Sequence, residues 1–329
     1  MRHNNRNILF IPSGYPLIYH YLDKNIEEAL YSTGQKYIRF HPKEPIERLQ
    51  TILSSNNSPV FAFTLLGDHL SDPVYDLLKH SSIKLAVWLT EDPYYMDRTL
   101  QKIQKYDYAF TIDLGAYRTY LSVGFSHVYH LPLGTDISIF TKQEVEPIYQ
   151  SDLLLVGYPY PNRIRLIEFL LENGTLPITV IGKQWHNQLS KKFRNHDQLN
   201  LYDQWIEPEK VAKFYNGAKI VLNPHRPAKF LSNENKRGIM NETINNRTLD
   251  IAACGAFQLI EDLAGLRSYF SEDEMISYQG PEDCLEKISF YMDKKDLRQH
   301  IADSAQKRVC HEHTFRHRVE TIVDIIKLP

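Results

Sequence analysis

Cysteine is scarce in this 329-residue chain: Cys254, Cys284 and Cys310 are the full set. Three widely spaced thiols argue against a disulfide framework and fit a reducing compartment. An excess of charge is missing too. With 38 basic and 40 acidic residues the net charge is −2, so no global basic field exists to hold nucleic acid or an anionic membrane. No apolar run approaches the roughly 20 residues that a membrane span needs. The start, "MRHNNRNILFIPSGYP", is basic, but its apolar run is too short for a signal peptide and lacks a small-residue cleavage site. A soluble protein made in the cytoplasm is expected. Several motifs are absent as well. Neither "FIPSGYPLI" nor "LVGYPYPNR" has G-x-G-x-x-G spacing, which disfavours a nicotinamide or flavin dinucleotide. No G-x-x-x-x-G-K-[ST], G-x-S-x-G or D-x-D occurs. P-loop NTPases are thereby excluded, a hydrolase is disfavoured, and the usual carboxylate pair for a metal–diphosphate is missing.

What is present is a globular composition, 43% apolar and 24% charged, long enough for two domains. Tyrosine is abundant at 21 copies, a hint of polar, ring-shaped ligands. Short apolar runs alternate with helically periodic segments. The first set is 7–11, 36–40, 60–66, 84–89, 108–112 and 127–133. After a polar stretch at 134–151 a second set follows at 152–158, 178–183, 199–203, 219–224, 256–260 and 275–279. Strand, helix, strand, repeated, predicts parallel sheets covered on both faces, hence two doubly wound Rossmann-like α/β domains. From about 281 the chain reads as all-helical. The expected division is 1–140, 141–310 and a final helix, 311–329, near the junction. Such twin domains are expected to face across a cleft, with ligands at the carboxyl ends of the strands.

The post-strand segments carry the candidate chemistry. "PHRPAKFLSNENKRGIMNETI" (224–244) has no clear period and holds Arg226, Lys229, Lys236 and Arg237. It reads either as a solvated loop or as an anion site. In "NNRTLDIAACGAFQLI" (245–260), Asn245 or Asn246 is the expected helix cap and Gly255 the expected stop. Arg247 and Asp250 share a face, either as a local ion pair or as ligands for a nucleotide. Arginine in a first helical turn opposes the macrodipole, and a bound phosphate resolves that conflict. Asp250, one turn on, is then placed for ribose hydroxyls, and the small residues permit close approach. Gly157 offers room after a strand; Arg163 sits near a helix start and Lys183 at a strand end, each as surface residue or phosphate ligand. Glu91, just beyond a buried strand, is the candidate general base. Its neighbour Asp92 doubles as an ordinary helix start before Pro93. Asp68, His69 and His20 are reserves for the base. Cys310, His313 and His317 mimic a metal face, yet no paired motif from a second element accompanies them.

Six segments, in order along nearly the whole chain, carry a resemblance: "IPSGYP" (11–16), "WLTEDPYYMD" (88–97), "LPLGTDISIF" (131–140), "VGYPYPNRIRLIEFL" (156–170), "NNRTLDIAACGAF" (245–257) and "EHTFRHRVETI" (312–322). Together they resemble the spore-maturation protein CgeB family, whose members look like GT-B glycosyltransferases. Asp250 departs from the pattern, standing where the family usually has Glu. The resemblance implies sugar transfer from a nucleotide-sugar donor, UDP-linked, held mainly by the second domain. The acceptor, a protein or glycan of the spore surface, sits against the first. Neither a metal nor a cofactor is implied. Cations and helix N-termini then stabilise the leaving diphosphate, with Arg163, Lys183 and Arg247 as the residues for it. Asn241 and Asn245 orient the donor through their amides. The implied location is the mother-cell cytoplasm of a sporulating bacterium, with the outer spore layer as a second place. Two alternatives stay open: a non-catalytic spore-coat or scaffold protein of the same fold, and a nucleotide-sugar epimerase.

Overall fold

The computed structural model describes residues 7–327. In chain order its principal elements are β1 (Ile8–Ile11), α1 (Ile18–Ser32), β2 (Tyr37–Arg39), α2 (Ile46–Ser54), β3 (Phe61–Leu65), α3 (Asp72–His80), β4 (Lys84–Leu89), α4 (Met96–Lys102), β5 (Tyr108–Thr111), α5 (Leu114–Ser122) and β6 (Val128–His130). There follow β7 (Ser151–Val156), α6 (Pro161–Asn173), β8 (Ile178–Ile181), α7 (Trp185–Gln188), β9 (Leu199–Tyr202), α8 (Pro208–Gly217), β10 (Ala218–Asn223), α9 (Asn246–Ala253), β11 (Gln258–Glu261), β12 (Ile276–Tyr278), α10 (Gly280–Met292), α11 (Lys295–Glu312) and α12 (Phe315–Lys327). The apolar runs are the strands, and the chain beyond β12 is helical. Among the described residues no helix is long and apolar enough to cross a membrane.

The chain divides into two compact units. One holds the residues up to Gly134, Leu231–Asn241 and the chain from Phe315; the other holds Thr135–Phe230 and Glu242–Thr314. The first unit is built on a parallel sheet of order β2-β1-β3-β4-β5-β6. Its order reverses between β1 and β3, the kind of point at which open α/β sheets take ligands. All of β1 and β3, and β4 beyond Lys84, are buried, which is why they read as unbroken apolar runs. Phe10, Phe63 and Trp88 pack side by side across these strands at 6.1 and 6.4 Å between ring centroids. Truncating such a buried ring to Ala costs about 3–5 kcal/mol. Trp88 donates Nε1–H to the Leu131 carbonyl at 2.9 Å and meets the edge of Phe315 on α12. Arg318 then pins α12 by donating to the Pro132 carbonyl at 2.8 Å.

The segment 231–241, which the sequence reading places in the second domain, clusters with the first unit. Asp97 donates its N–H to Glu234 O at 2.8 Å and accepts from Lys236 N at 3.0 Å, while Ile239 packs on the apolar core. A segment held by such isolated contacts has no periodicity for the sequence to reveal. The expected boundary at 140 likewise differs from the unit's end at Gly134.

The second unit has a parallel sheet of order β12-β11-β10-β7-β8-β9, reversing between β7 and β10. Leu153, Leu155, Ile167, Val180, Trp185, Leu222 and Leu259 lie in its core. Asn245 caps α9 by accepting from Thr248 N at 3.1 Å, and Gly255, at φ 63°, ends it. Ala252, Ala253 and Cys254 are buried; the Ala253 carbonyl accepts from Gln306 on α11, and Cys254 faces Ala212 on α8. Small residues there serve helix packing.

Candidate functional site

At the reversal of the second sheet, β7 ends in Val156 and β10 in Asn223, and two arginines fill the space beyond them. Arg163, in the first turn of α6, is 2% exposed. It donates Nε–H and Nη2–H to the Pro224 carbonyl at 3.2 and 3.0 Å and Nη1–H to Tyr158 O at 3.0 Å. Arg247, in the first turn of α9, donates to Val156 O at 3.0 Å and to the same Pro224 carbonyl at 3.2 Å. Gly157 lies between them at φ 143°. A Cβ there would sit 2.3 Å from Arg247 Nη1 and 2.6 Å from Arg163 Nη1. Only glycine admits both guanidinium groups. Two guanidinium charges brought this near to each other repel, by a few kcal/mol at an effective dielectric of about 20. Strand-end carbonyls offset part of that, and they also explain how Arg247 tolerates the start of α9. The arrangement favours an anion carrying more than one charge.

His225 was missed by the sequence reading. It stands two residues past β10, and that position was the available signal. Because Asn245 Oδ1 accepts from Thr248 N, its Nδ2 faces Asn223 Oδ1 at 3.0 Å and His225 Nδ1 at 3.1 Å. The imidazole Nδ1 must therefore accept, which leaves the proton on Nε2. Nε2 is buried without a hydrogen-bond partner among the described residues. Burial first, then Arg247 and Arg163, push the His225 pKa down to about 3, so the ring is a neutral donor at physiological pH. Glu261, at the end of β11, accepts from His225 N at 2.9 Å and from Asn162 Nδ2 at 3.2 Å. Burial raises its pKa, opposed by the His225 N–H and the Arg163 charge.

The other sequence-predicted donor residues are disposed differently. Lys183 is exposed, two residues past β8, whose Ile181 carbonyl accepts from Gly157 N at 2.8 Å. Asn245 spends its amide on the cap and on Asn223 and His225, so it shapes the site rather than facing a donor. Asn241 is half-buried and belongs to the segment that clusters with the first unit. Asp250 is 6% exposed and accepts from Thr135 Oγ1 at 2.7 Å and Asn246 Nδ2 at 3.1 Å. Burial raises its pKa to about 8. That carboxyl group ties α9 to the chain after Gly134, and the ribose contact read from the sequence is not its disposition here.

In the first unit, Glu91 is half-buried just beyond β4, and Tyr19 donates its hydroxyl to Oε1 at 2.6 Å. Asp92 is a correction. It is 1% exposed and accepts from Thr99, Thr111 and Tyr120 hydroxyls at 3.0, 2.9 and 3.0 Å. Burial lifts its pKa to about 7 against the pull of those hydroxyls. An acid enclosed by three interior hydroxyls organises the core and cannot meet a substrate. Asp68 pairs with Lys102 at 2.7 Å, His69 Nδ1 meets the Ser13 carbonyl at 2.7 Å, and His20 is exposed on α1. Cys310 closes the last turn of α11, His313 follows that helix and His317 lies on α12, so the three share no helix face. Among the described residues no group of three or more His, Cys, Asp or Glu could hold a metal ion.

With this geometry in place, comparison with known proteins decides the family. The chain is 39% identical over 310 residues to the spore protein CgeB of Bacillus subtilis (strain 168), covering 94% of this chain and 95% of the relative. The chain belongs to the CgeB family. Residues 163–324 match the model of a family described as glycosyl transferase-like. Among solved structures, sucrose-phosphate synthase from Thermosynechococcus elongatus is similar with a TM-score of 0.66 at 11% identity over 98% of each chain. HepE of Anabaena, in complex with UDP and glucose, has a TM-score of 0.66 at 10% identity over 98% of this chain and 99% of that one. Those likenesses show the GT-B fold. This CgeB-family chain thus carries a glycosyl transferase-like segment, residues 163–324, on a GT-B fold. The glycosyl transferase-like match begins at Arg163 and takes in Lys183, His225 and Arg247, and it leaves Glu91 outside.

Proposed function

We propose that the chain transfers a sugar from a UDP-linked donor to a protein or glycan acceptor of the spore surface, without a metal, in the mother cell of a sporulating bacterium. The observation that carries the donor assignment is Gly157 set between the guanidinium groups of Arg163 and Arg247 at the reversal of the second sheet. In this reading Arg247 and the exposed ammonium of Lys183 take up the diphosphate, while the buried Arg163 and the neutral His225 lend charge and dipole from behind them. Glu91 serves the acceptor. As the acceptor oxygen bonds to the anomeric carbon, the bond from that carbon to the diphosphate oxygen breaks. The electron pair stays on the diphosphate, and the hydroxyl proton passes to the Glu91 carboxylate. Preorganised positive charge where negative charge develops is the main source of acceleration in such a step. HepE, of the same fold, is seen with UDP and glucose, in line with a uridine diphosphate donor.

A thermal-shift screen of UDP-, GDP-, CMP- and TDP-sugars, followed by product analysis, tests this. Stabilisation by UDP-sugars and glycosylated product are expected; donor at 100 times its dissociation constant adds about 2.7 kcal/mol. Conversion of the donor to its epimer without an acceptor points to the epimerase, and no stabilisation by any of the four sinks the donor assignment.

A further inference from the structure

The geometry points to a carbohydrate acceptor, its pyranose ring seated on Tyr15 and Tyr19 at the carboxyl edge of the first sheet. This rests on the reading of the chain as a sugar-transferring enzyme whose first unit takes the acceptor, and it names the chemical class that this unit takes.

The turn after β1 is held firmly. Ser13 donates its N–H and its hydroxyl to the buried Asp23 carboxylate at 2.8 and 2.7 Å, and its carbonyl meets His69 Nδ1 at 2.7 Å. Tyr15 is thereby fixed with its ring 4.2 Å from the His69 ring and 5.2 Å from the Tyr19 ring. Both tyrosines are half-buried, and both hydroxyls are anchored, Tyr15 to Asp68 at 3.2 Å and Tyr19 to Glu91 at 2.6 Å. The result is a small aromatic surface of fixed orientation. Just after it the backbone runs through Leu17 at φ 59°, a conformation L residues seldom adopt, which marks a turn shaped by its surroundings.

The edge of this surface is rich in acceptors. A carbonyl can only accept, so His69 carries a proton on Nδ1 and its other ring nitrogen, Nε2, is the one left for a ligand. Glu91 and Asp68 add carboxylate oxygens, those of Asp68 shared with Lys102 at 2.7 Å and Arg98 at 3.6 Å. A ligand that fits has apolar faces for the rings and hydroxyl donors around its rim. Pyranoses have both, since their C–H faces rest on the π-surface while their hydroxyls point outward. A peptide backbone presents one acceptor for each donor, whereas every hydroxyl around a pyranose rim can donate, so this edge favours the sugar.

Ligand-observed saturation-transfer NMR on the full chain tests this, with methyl β-glucopyranoside, methyl β-galactopyranoside and methyl N-acetyl-β-glucosaminide as probes and a Ser/Thr-rich peptide as comparison. The expected result is millimolar binding of at least one glycoside, weakened about tenfold in Tyr15→Ala and largely kept in Tyr15→Phe. Tyr19→Ala serves as the second variant if Tyr15→Ala does not fold. UDP affinity, measured alongside by calorimetry, is expected to be equal in all variants. No binding of any glycoside, equal binding by Tyr15→Ala, or binding of the peptide alone overturns the proposal. Failure of UDP to bind the wild type, with glycosides still bound through Tyr15, overturns the donor assignment instead.

Discussion

The carboxyl edges of the two sheets share a topology and differ in chemistry. Each sheet is parallel and reverses its strand order once, and each has a glycine-containing turn after its first strand. At the first edge the side chains are tyrosines and acids, Tyr15 on Asp68 and Tyr19 on Glu91, with Lys102 and Arg98 neutralising Asp68. At the second they are arginines held by carbonyls, with a neutral histidine. A fold that appears twice in one chain has thus been given an acceptor-rich edge and a cation-rich edge. The topology supplies the place, and residues in the turns and first helical turns beyond the strand ends supply the chemistry.

The largest effect is expected from removing the acid of the first edge. Glu91→Gln should slow sugar transfer by roughly 10²–10⁴-fold with UDP affinity kept within about twofold; parallel loss of both in steady-state kinetics and calorimetry would break the division of labour. Asp92→Asn separates the acid of the edge from that of the core. The folded protein holds the Asp92 proton up to about 7 against an ordinary 3.8. Its contribution to stability is therefore full below about pH 4 and is lost as pH rises through about 7, on the order of 4 kcal/mol. Asp23 and Asp250 are raised to about 6 and about 8 and act in the same sense. Urea unfolding from pH 4.5 to 8.5 should show a flatter decline in Asp92→Asn, with UDP binding intact. Gly157→Ala tests the second edge by crowding both guanidinium groups. A loss of about 1–3 kcal/mol is expected, together with failure to bind UDP. Smallest is Lys183→Ala, expected to weaken UDP by about threefold at low salt and less at high salt, since an exposed charge is screened.

Much of this was legible in the sequence, for identifiable reasons. The central strands, buried on both faces, leave unbroken apolar runs, and the partly buried edge strands β2, β9 and β12 overlap shorter runs read from the sequence. The helix at 246–253 was legible because Asn245 and Gly255 act within one turn of its ends. Arg163 and Gly157 were picked out by their position after a strand, and Arg247 by its place in a first helical turn, where a cation opposes the macrodipole. What stayed hidden depends on tertiary enclosure. Asp92 and Glu91 are neighbours of similar chemistry, and only the hydroxyls of Thr99, Thr111 and Tyr120, 7, 19 and 28 residues further on, make one of them interior. Asp250 is enclosed by Thr135 in the same way. His225 drew no notice because its meaning lies in a proton position set by Asn245, and Tyr15 and Tyr19 because an aromatic pair is ordinarily core.

Calorimetric titration of UDP into the wild type and Arg247→Ala tests the cation-rich edge most directly. The wild type should bind UDP, and the variant, melting within a few degrees of it, should bind about 10- to 100-fold more weakly, as expected for loss of a charge-assisted hydrogen bond to phosphate. Equal affinities in two folded proteins, or no binding by the wild type, would contradict the assignment of the second unit to the donor.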